Sequence, residues 1–182
     1  MRLPVTISLV SALFTIFNAP ALAGQTTFGD ANDAAMVTYD TDVWTAKELA
    51  NLPYFECAPD DCGSASCLVI VSANPSFVKW PETINSASLA ALDEIFVNNE
   101  KQGGLDKAKV LEPMHPITFG KHDTLSMTIG IEDLSTGWVA TRHLMNEAGN
   151  TRIVTCEGDA PAMAAYKEQI GKLIEGIVFN PQ

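Results

Sequence analysis

Between Thr124 and Cys156 the side chains change character residue by residue, and no other stretch limits the fold so tightly. Leu125, Met127, Ile129 and Ile131 alternate with Thr124, Ser126, Thr128 and Gly130. A period of two belongs to a strand with one face in the core and one outside. Asp133-Leu-Ser-Thr-Gly137 reads as a turn, Trp138 to Met145 as the returning strand, Asn146-Glu-Ala-Gly-Asn150 as a second turn, and Thr151 to Cys156 as a third strand. Three strands joined by short turns make an antiparallel meander. Its apolar face needs a cover, and the flanking sequence supplies helices.

One helix is marked by Asn85 or Ser86 as a cap, by Leu89, Leu92, Ile95 and Phe96 at helical spacing, and by Gly103-Gly104 as a stop. From Lys107 the pattern changes without declaring an element until Thr124. A last helix opens at Pro161 and carries Met163, Tyr166, Ile170, Leu173, Ile174 and Ile177 on one stripe. Thr41 and Asp42 predict a further helix, with Val43, Trp44, Ala46 and Leu49 on one side and Pro53 ending it. Cys67-Leu-Val-Ile-Val71 is a short unbroken apolar run, which predicts a strand covered on both faces. The expected class is α+β, an antiparallel sheet packed by amphipathic helices in a single domain over 41–182. Residues 24–40 show little apolar periodicity and are expected to be irregular. Asp30-Ala-Asn-Asp33 lacks the glycine and distal glutamate of an EF-hand loop and reads as solvated acids.

The amino end predicts the compartment. Arg2 gives a positive start, an apolar run extends from Val5 to Phe17, and Ala21-Leu22-Ala23 offers a small-x-small cleavage site. That is the pattern of a signal peptide over 1–23, and the run is too short for a membrane span. Gly24 stands where a lipoprotein needs a cysteine. A periplasmic or secreted location follows, in a compartment that oxidises thiols. The chain of 182 residues has a formal net charge of −11, and loss of Arg2 with the signal makes it more acidic. Such a charge disfavours nucleic acid and anionic lipid surfaces and suits solubility or a protein partner.

Four cysteines allow three pairings. Ala58-Pro59-Asp60-Asp61 is a good turn sequence between Cys57 and Cys62, and it favours that bridge. Cys67 begins one apolar strand and Cys156 ends another, so they are expected to meet across the sheet. The long bridge would staple the fold, and the short one would stiffen an exposed loop.

Two resemblances follow. Cys57-Ala-Pro-Asp-Asp-Cys62-Gly-Ser64 resembles the disulfide-closed loop of the Ivy-type periplasmic lysozyme inhibitors, which carry Cys-Lys-Pro-His-Asp-Cys followed by Gly-Ser and a strand. Cys57, Pro59, Asp61, Cys62, Gly63 and Ser64 match in type and spacing. Ala58 stands in place of the family's lysine, and Asp60 in place of the histidine it inserts into the lysozyme cleft. The resemblance implies a loop of Ala58, Pro59, Asp60, Asp61, Gly63 and Ser64 that contacts a partner. Separately, the order of meander, long helix and terminal Ile177-Val-Phe resembles the PsbP-like and DcrB-like exported domains. That likeness implies a sheet between helices and a binding or accessory role without chemistry.

Enzyme signatures are missing. Four residues separate Cys57 from Cys62, where a thioredoxin-like site has two and sits at a helix start. Gly63-Ser-Ala-Ser-Cys67 fails the nucleophile-elbow pattern at its third and fifth places. Gly103-Gly104 lacks the Gly-Lys-Ser/Thr ending of a phosphate loop. His115 and His122 flank a proline-containing stretch, and His143 lies on a strand beside Thr141 and Met145. No two of them have the spacing of a local ligand pair, so no metal and no cofactor is expected. The alternative to a binding protein is an enzyme or metal carrier built from His115, His122, Asp123 and His143. No residue is assigned a catalytic role.

Overall fold

In a computed structural model the described residues are 24–29, 35–58, 63–70, 78–131, 137–147 and 149–180. They form β1 (Gln25–Phe28), β2 (Ala35–Asp40), β3 (Trp44–Leu49), β4 (Leu52–Cys57), β5 (Ser66–Ile70), α1 (Ser86–Gln102), β6 (Ala108–Phe119), β7 (His122–Ile131), β8 (Trp138–Glu147), β9 (Asn150–Asp159), α2 (Ala160–Ala165), α3 (Lys167–Glu175) and β10 (Ile177–Phe179). The predicted signal segment 1–23 and the predicted turn at 133–137, except Gly137, lie outside them.

Seven strands form one antiparallel sheet in the order β3-β4-β5-β9-β8-β7-β6, and β1-β2-β10 form a small second sheet. The meander β7-β8-β9 stands as expected, with Leu125 opposite Leu144 and His143 opposite Val154. β8 runs on to Glu147 and β9 resumes at Asn150, so the second turn is shorter than its sequence suggested.

Period two sorts the large sheet into two faces. Leu125, Met127, Ile129, Leu144 and Ile153 pack with Leu92 and Phe96 of α1. Val139, Met145, Val154 and Cys156 pack with Met163 of α2, with Ile170, Leu173 and Ile174 of α3, and with Val37 and Ile177 of the small sheet. β7 is therefore covered on both faces, and even Thr124 and Ser126 on its polar side are buried. Helix α1 begins as its sequence predicts. The Asn85 side chain accepts hydrogen bonds from the N–H groups of Ala87 and Ser88, and the Asn85 N–H donates to Ser88 Oγ.

Three expectations are corrected, and one stretch left without an element is resolved. The helix from Thr41 to Pro53 is a hairpin of β3 and β4. Ala50 and Asn51 both adopt positive φ, 52° and 62°, the two-residue turn whose twist matches paired strands. Within 24–40, Gln25–Phe28 and Ala35–Asp40 are strands where irregular chain was expected, because β1 pairs with β2 and β2 pairs with β10. The region 108–119 is a single strand despite Pro113 and Pro116. It tolerates them because it is the sheet edge, and register shifts on either side of Glu112 absorb the misfit. The last helix is two helices, broken at Tyr166, and Ile177 has left the helical stripe to open β10.

Candidate functional site

The cysteine loop emerges between β4 and β5. Its tip, Pro59, Asp60, Asp61 and Cys62, lies outside the described residues. Ala58, Gly63 and Ser64 are described and exposed. Cys57 takes part in a disulfide, and the other end of the expected bridge, Cys62, is among the residues not described.

Both flanks of the loop are pinned. On the incoming side the Ala58 N–H donates to the Val43 carbonyl at 2.8 Å, and the Cys57 N–H donates to the Ala65 carbonyl at 3.0 Å. On the outgoing side the Ser64 hydroxyl donates to Asp159 Oδ2 at 3.0 Å, and the Asp159 N–H donates back to Ser64 Oγ at 2.7 Å. Asp159 is also the N-cap of α2, accepting from the Ala162 N–H at 3.0 Å. These donors hold the Asp159 carboxyl below its ordinary value, the Ala162 N–H most and the Ser64 hydroxyl next. Gly63 adopts φ +70°, and a Cβ there would stand 2.9 Å from the Ala162 Cβ. Gly158 is needed for the same approach, since its Cβ would meet the Ser64 carbonyl oxygen at 2.9 Å. Below the loop, Cys67 and Cys156 are direct cross-strand partners, fully buried and joined by a disulfide. The sequence pointed to that bridge but not to Asp159. Its signal was the Asp-Ala-Pro string at 159–161, a cap followed by a proline that a first turn accepts.

The histidines divide. His115 on β6 and His143 on β8 line one cavity of about 360 Å³ between the sheet and helices α2 and α3. Its floor is Ser126, Thr128, Thr141 and His143, and its roof is Ala160, Met163, Ala164 and Ile170. Glu112, His115 and Lys167 are exposed members of the wall. The His143 ring is buried, with Phe119 edge-on at 5.4 Å between centroids. Burial pushes its pKa down to about 3, helped by the Arg142 guanidinium and by His115, so the ring is neutral. His115 holds its Nδ1 2.8 Å from the Pro113 carbonyl oxygen.

His122 is elsewhere. It is buried with Nδ1 2.5 Å from Glu147 Oε1, and its Nε2 donates to the Ile177 carbonyl at 3.0 Å, which ties the large sheet to β10. Asp123, its neighbour, lines a separate hollow with Trp80 and Ile84. The predicted alternative of His115, His122, Asp123 and His143 as one site is therefore corrected, because strand alternation sends His122 and Asp123 to different places. Among the described residues no group of three or more His, Cys, Asp or Glu side chains is placed to hold a metal ion, and no helix is long and apolar enough to cross a membrane.

No family model and no curated protein matches the sequence. Solved structures do match the fold. Cyanobacterial PsbP (CyanoP) from Synechocystis sp. PCC 6803 superposes with a TM-score of 0.59 at 9% identity, over 88% of this chain and 95% of that one. The Saccharomyces cerevisiae Ran-binding protein Mog1p gives 0.52 at 10% identity, over 85% of this chain and 95% of its own. LpqN, involved in cell envelope biogenesis of Mycobacterium tuberculosis, gives 0.50 at 10% identity, over 86% and 91%. At these identities the likeness is one of fold, and it agrees with the PsbP-like order of elements.

Proposed function

We propose that the protein is exported, with cleavage near Ala23, and acts without catalysis by presenting the loop at 57–64 to a protein partner. The observation that carries this reading is the pinning of both loop flanks. Flanks held at Val43, Ala65 and Asp159 give up little further freedom when a partner binds, so more of the contact energy they make appears as affinity. The buried disulfide suits an oxidising compartment. The fold supports the reading in a general way, since Mog1p is a Ran-binding protein and LpqN is involved in envelope biogenesis. A photoreactive residue at exposed Ala58, whose side chain takes no part in the pinning, tests it in cells: an adduct absent when the same residue replaces exposed Glu94 supports it, and equal labelling at both sites overturns it.

The specific form of the reading is inhibition of a lysozyme-like hydrolase, supported by the match at Cys57, Pro59, Asp61, Cys62, Gly63 and Ser64. Asp60 opposes it, because a lysozyme cleft holds two carboxylates that repel an inserted acid. Lysis by a c-type lysozyme in the presence of excess mature protein is the direct assay. Inhibition supports this form, and unchanged lysis removes it while leaving the general reading to the crosslinking result. Binding gained by Asp60→His would show the loop to be the family's loop with its inserted residue changed.

A further inference from the structure

We propose that the hollow between Trp80 and the ends of β6, β7 and β8 binds a neutral saccharide, with a pyranose ring against the Trp80 indole and its hydroxyls bonded by Thr118, Asp123 and Asn146.

The hollow, about 450 Å³, lies where the α1 face of the sheet runs out beyond its core, and its size is that of small-ligand sites. Strand alternation puts Asp123 on the face of Leu125 and Met127, but Asp123 is exposed where they are buried. Thr118 of β6 is its cross-strand partner. Asn146 stands one step past the Thr124–Met145 pair, so the three polar residues form a row across β6, β7 and β8, with strands about 4.8 Å apart. The row continues to Thr151 of β9, the partner of Asn146, whose Oγ1 accepts from the Trp80 backbone N–H at 2.7 Å. The same row therefore fixes the aromatic residue beside it. Trp80 is half-buried against the cluster of Leu92 and Phe96, and it lines the hollow together with exposed Ile84 and Pro116.

The polar groups select the ligand. Among the described residues, none hydrogen-bonds the Asp123 carboxylate, the Asn146 amide, the Thr118 hydroxyl or the Trp80 indole N–H. The carboxylate only accepts, the indole N–H only donates, and the amide and hydroxyl do both. An ammonium ion could pair with Asp123 but has no acceptor for the indole or the amide. An anion would meet Asp123 in a lining without Lys, Arg or His. A wholly apolar ligand would strip water from the row and replace none of its hydrogen bonds. A neutral polyol donates and accepts at each hydroxyl, so it can satisfy all four groups. A pyranose adds a face of C–H bonds, whose partial positive charge suits the negative face of an indole. This site is separate from the 57–64 loop and does not rest on the loop's proposed role.

Cellotriose, maltotriose and N,N′,N″-triacetylchitotriose, titrated into ¹⁵N-labelled mature protein, test it, with choline and glycerol as controls. The Trp80 indole N–H resonance should move saturably with at least one trisaccharide and stay in place with both controls. Asp123→Ala and Asn146→Ala should each weaken that binding about tenfold, the effect of one lost hydrogen bond, and leave the resonances of α1 where they were. Trp80→Ala should abolish it. No saturable movement with any trisaccharide up to its solubility would overturn the proposal, as would unchanged affinity in both surface variants. An equal response to choline would assign the hollow to a cation, and an equal response to glycerol would remove the role of the ring face; either overturns it. Asp123 and Asn146 are exposed, so their variants keep the test decisive even if Trp80→Ala does not fold.

Discussion

Ser64 and Asp159 exchange two hydrogen bonds, one from hydroxyl to carboxylate and one from backbone N–H to hydroxyl. They lie at the same end of the disulfide-linked β5–β9 pair, one just before β5 and the other closing β9, so the exchange sews the loop onto the first turn of α2. Asp159→Ala removes the loop clamp and the helix cap together. Amide exchange at Gly63–Ala65 and in α2 should accelerate in this variant. The carboxyl titrates below its ordinary range, so its contribution is present above pH 3.8 and is lost as pH falls through the lower folded value. Exchange that speeds up in α2 but not at the loop would show that the clamp does not hold the loop.

The Cys67–Cys156 bridge closes a loop of 89 residues in sequence separation. Loop-closure entropy assigns such a bridge about 4–5 kcal/mol of stability. Replacing both cysteines by alanine should lower the unfolding free energy by about that amount in urea titrations. The loss is expected without reductant, and the altered chain should respond less to reductant than the natural one.

His143 sets an acid limit. Its pKa is about 3 folded against an ordinary 6.5, so the unfolded chain binds the extra proton between those values. Stability from this residue is full above pH 6.5 and falls as pH drops toward 3, with a slope of up to about 1.4 kcal/mol per pH unit. Denaturation midpoints measured from pH 7 to pH 4 should fall less steeply in His143→Phe.

Arg142 and Glu100 join the sheet to α1 as a nearly buried ion pair, with side-chain exposures of 8% and 12%. Glu100→Ala leaves the Arg142 charge enclosed without its partner and should cost about 3 kcal/mol or more. The double change Glu100→Leu with Arg142→Met should recover much of that loss. A double variant as unstable as the single one would mean the site needs the guanidinium for another reason.

Much of the sheet was legible because its signal is local. Leu125, Met127 and Ile129 reveal their face by alternation, and the choice of Asn85 or Ser86 as cap places the start of α1. The small sheet was hidden for the opposite reason: Val37 finds its partner Ile177 near the other end of the chain, and six residues give too little pattern to announce a strand. The β3 segment misled because Val43, Trp44, Ala46 and Leu49 satisfy a helical wheel, while Ala50-Asn51 is a weak turn signal compared with Asn-Gly. The Cys67–Cys156 pairing could be read because each cysteine borders an apolar run. The cavity could not. It depends on Ser126 standing opposite His143 and Thr128 opposite Thr141, and on bulges in β6 that alter which residues beside Glu112 reach the floor.

The β2–β10 pairing also sets an order of events. A chain made from its amino end produces Ala35–Asp40 early and Ile177–Phe179 among its final described residues. Until those three arrive, β2 has only β1 beside it, His122 lacks the Ile177 carbonyl, and α3 has no finished sheet to rest on. The shortest described strand is thus the latch of the small sheet, which cannot close before Ile177–Phe179 have been made.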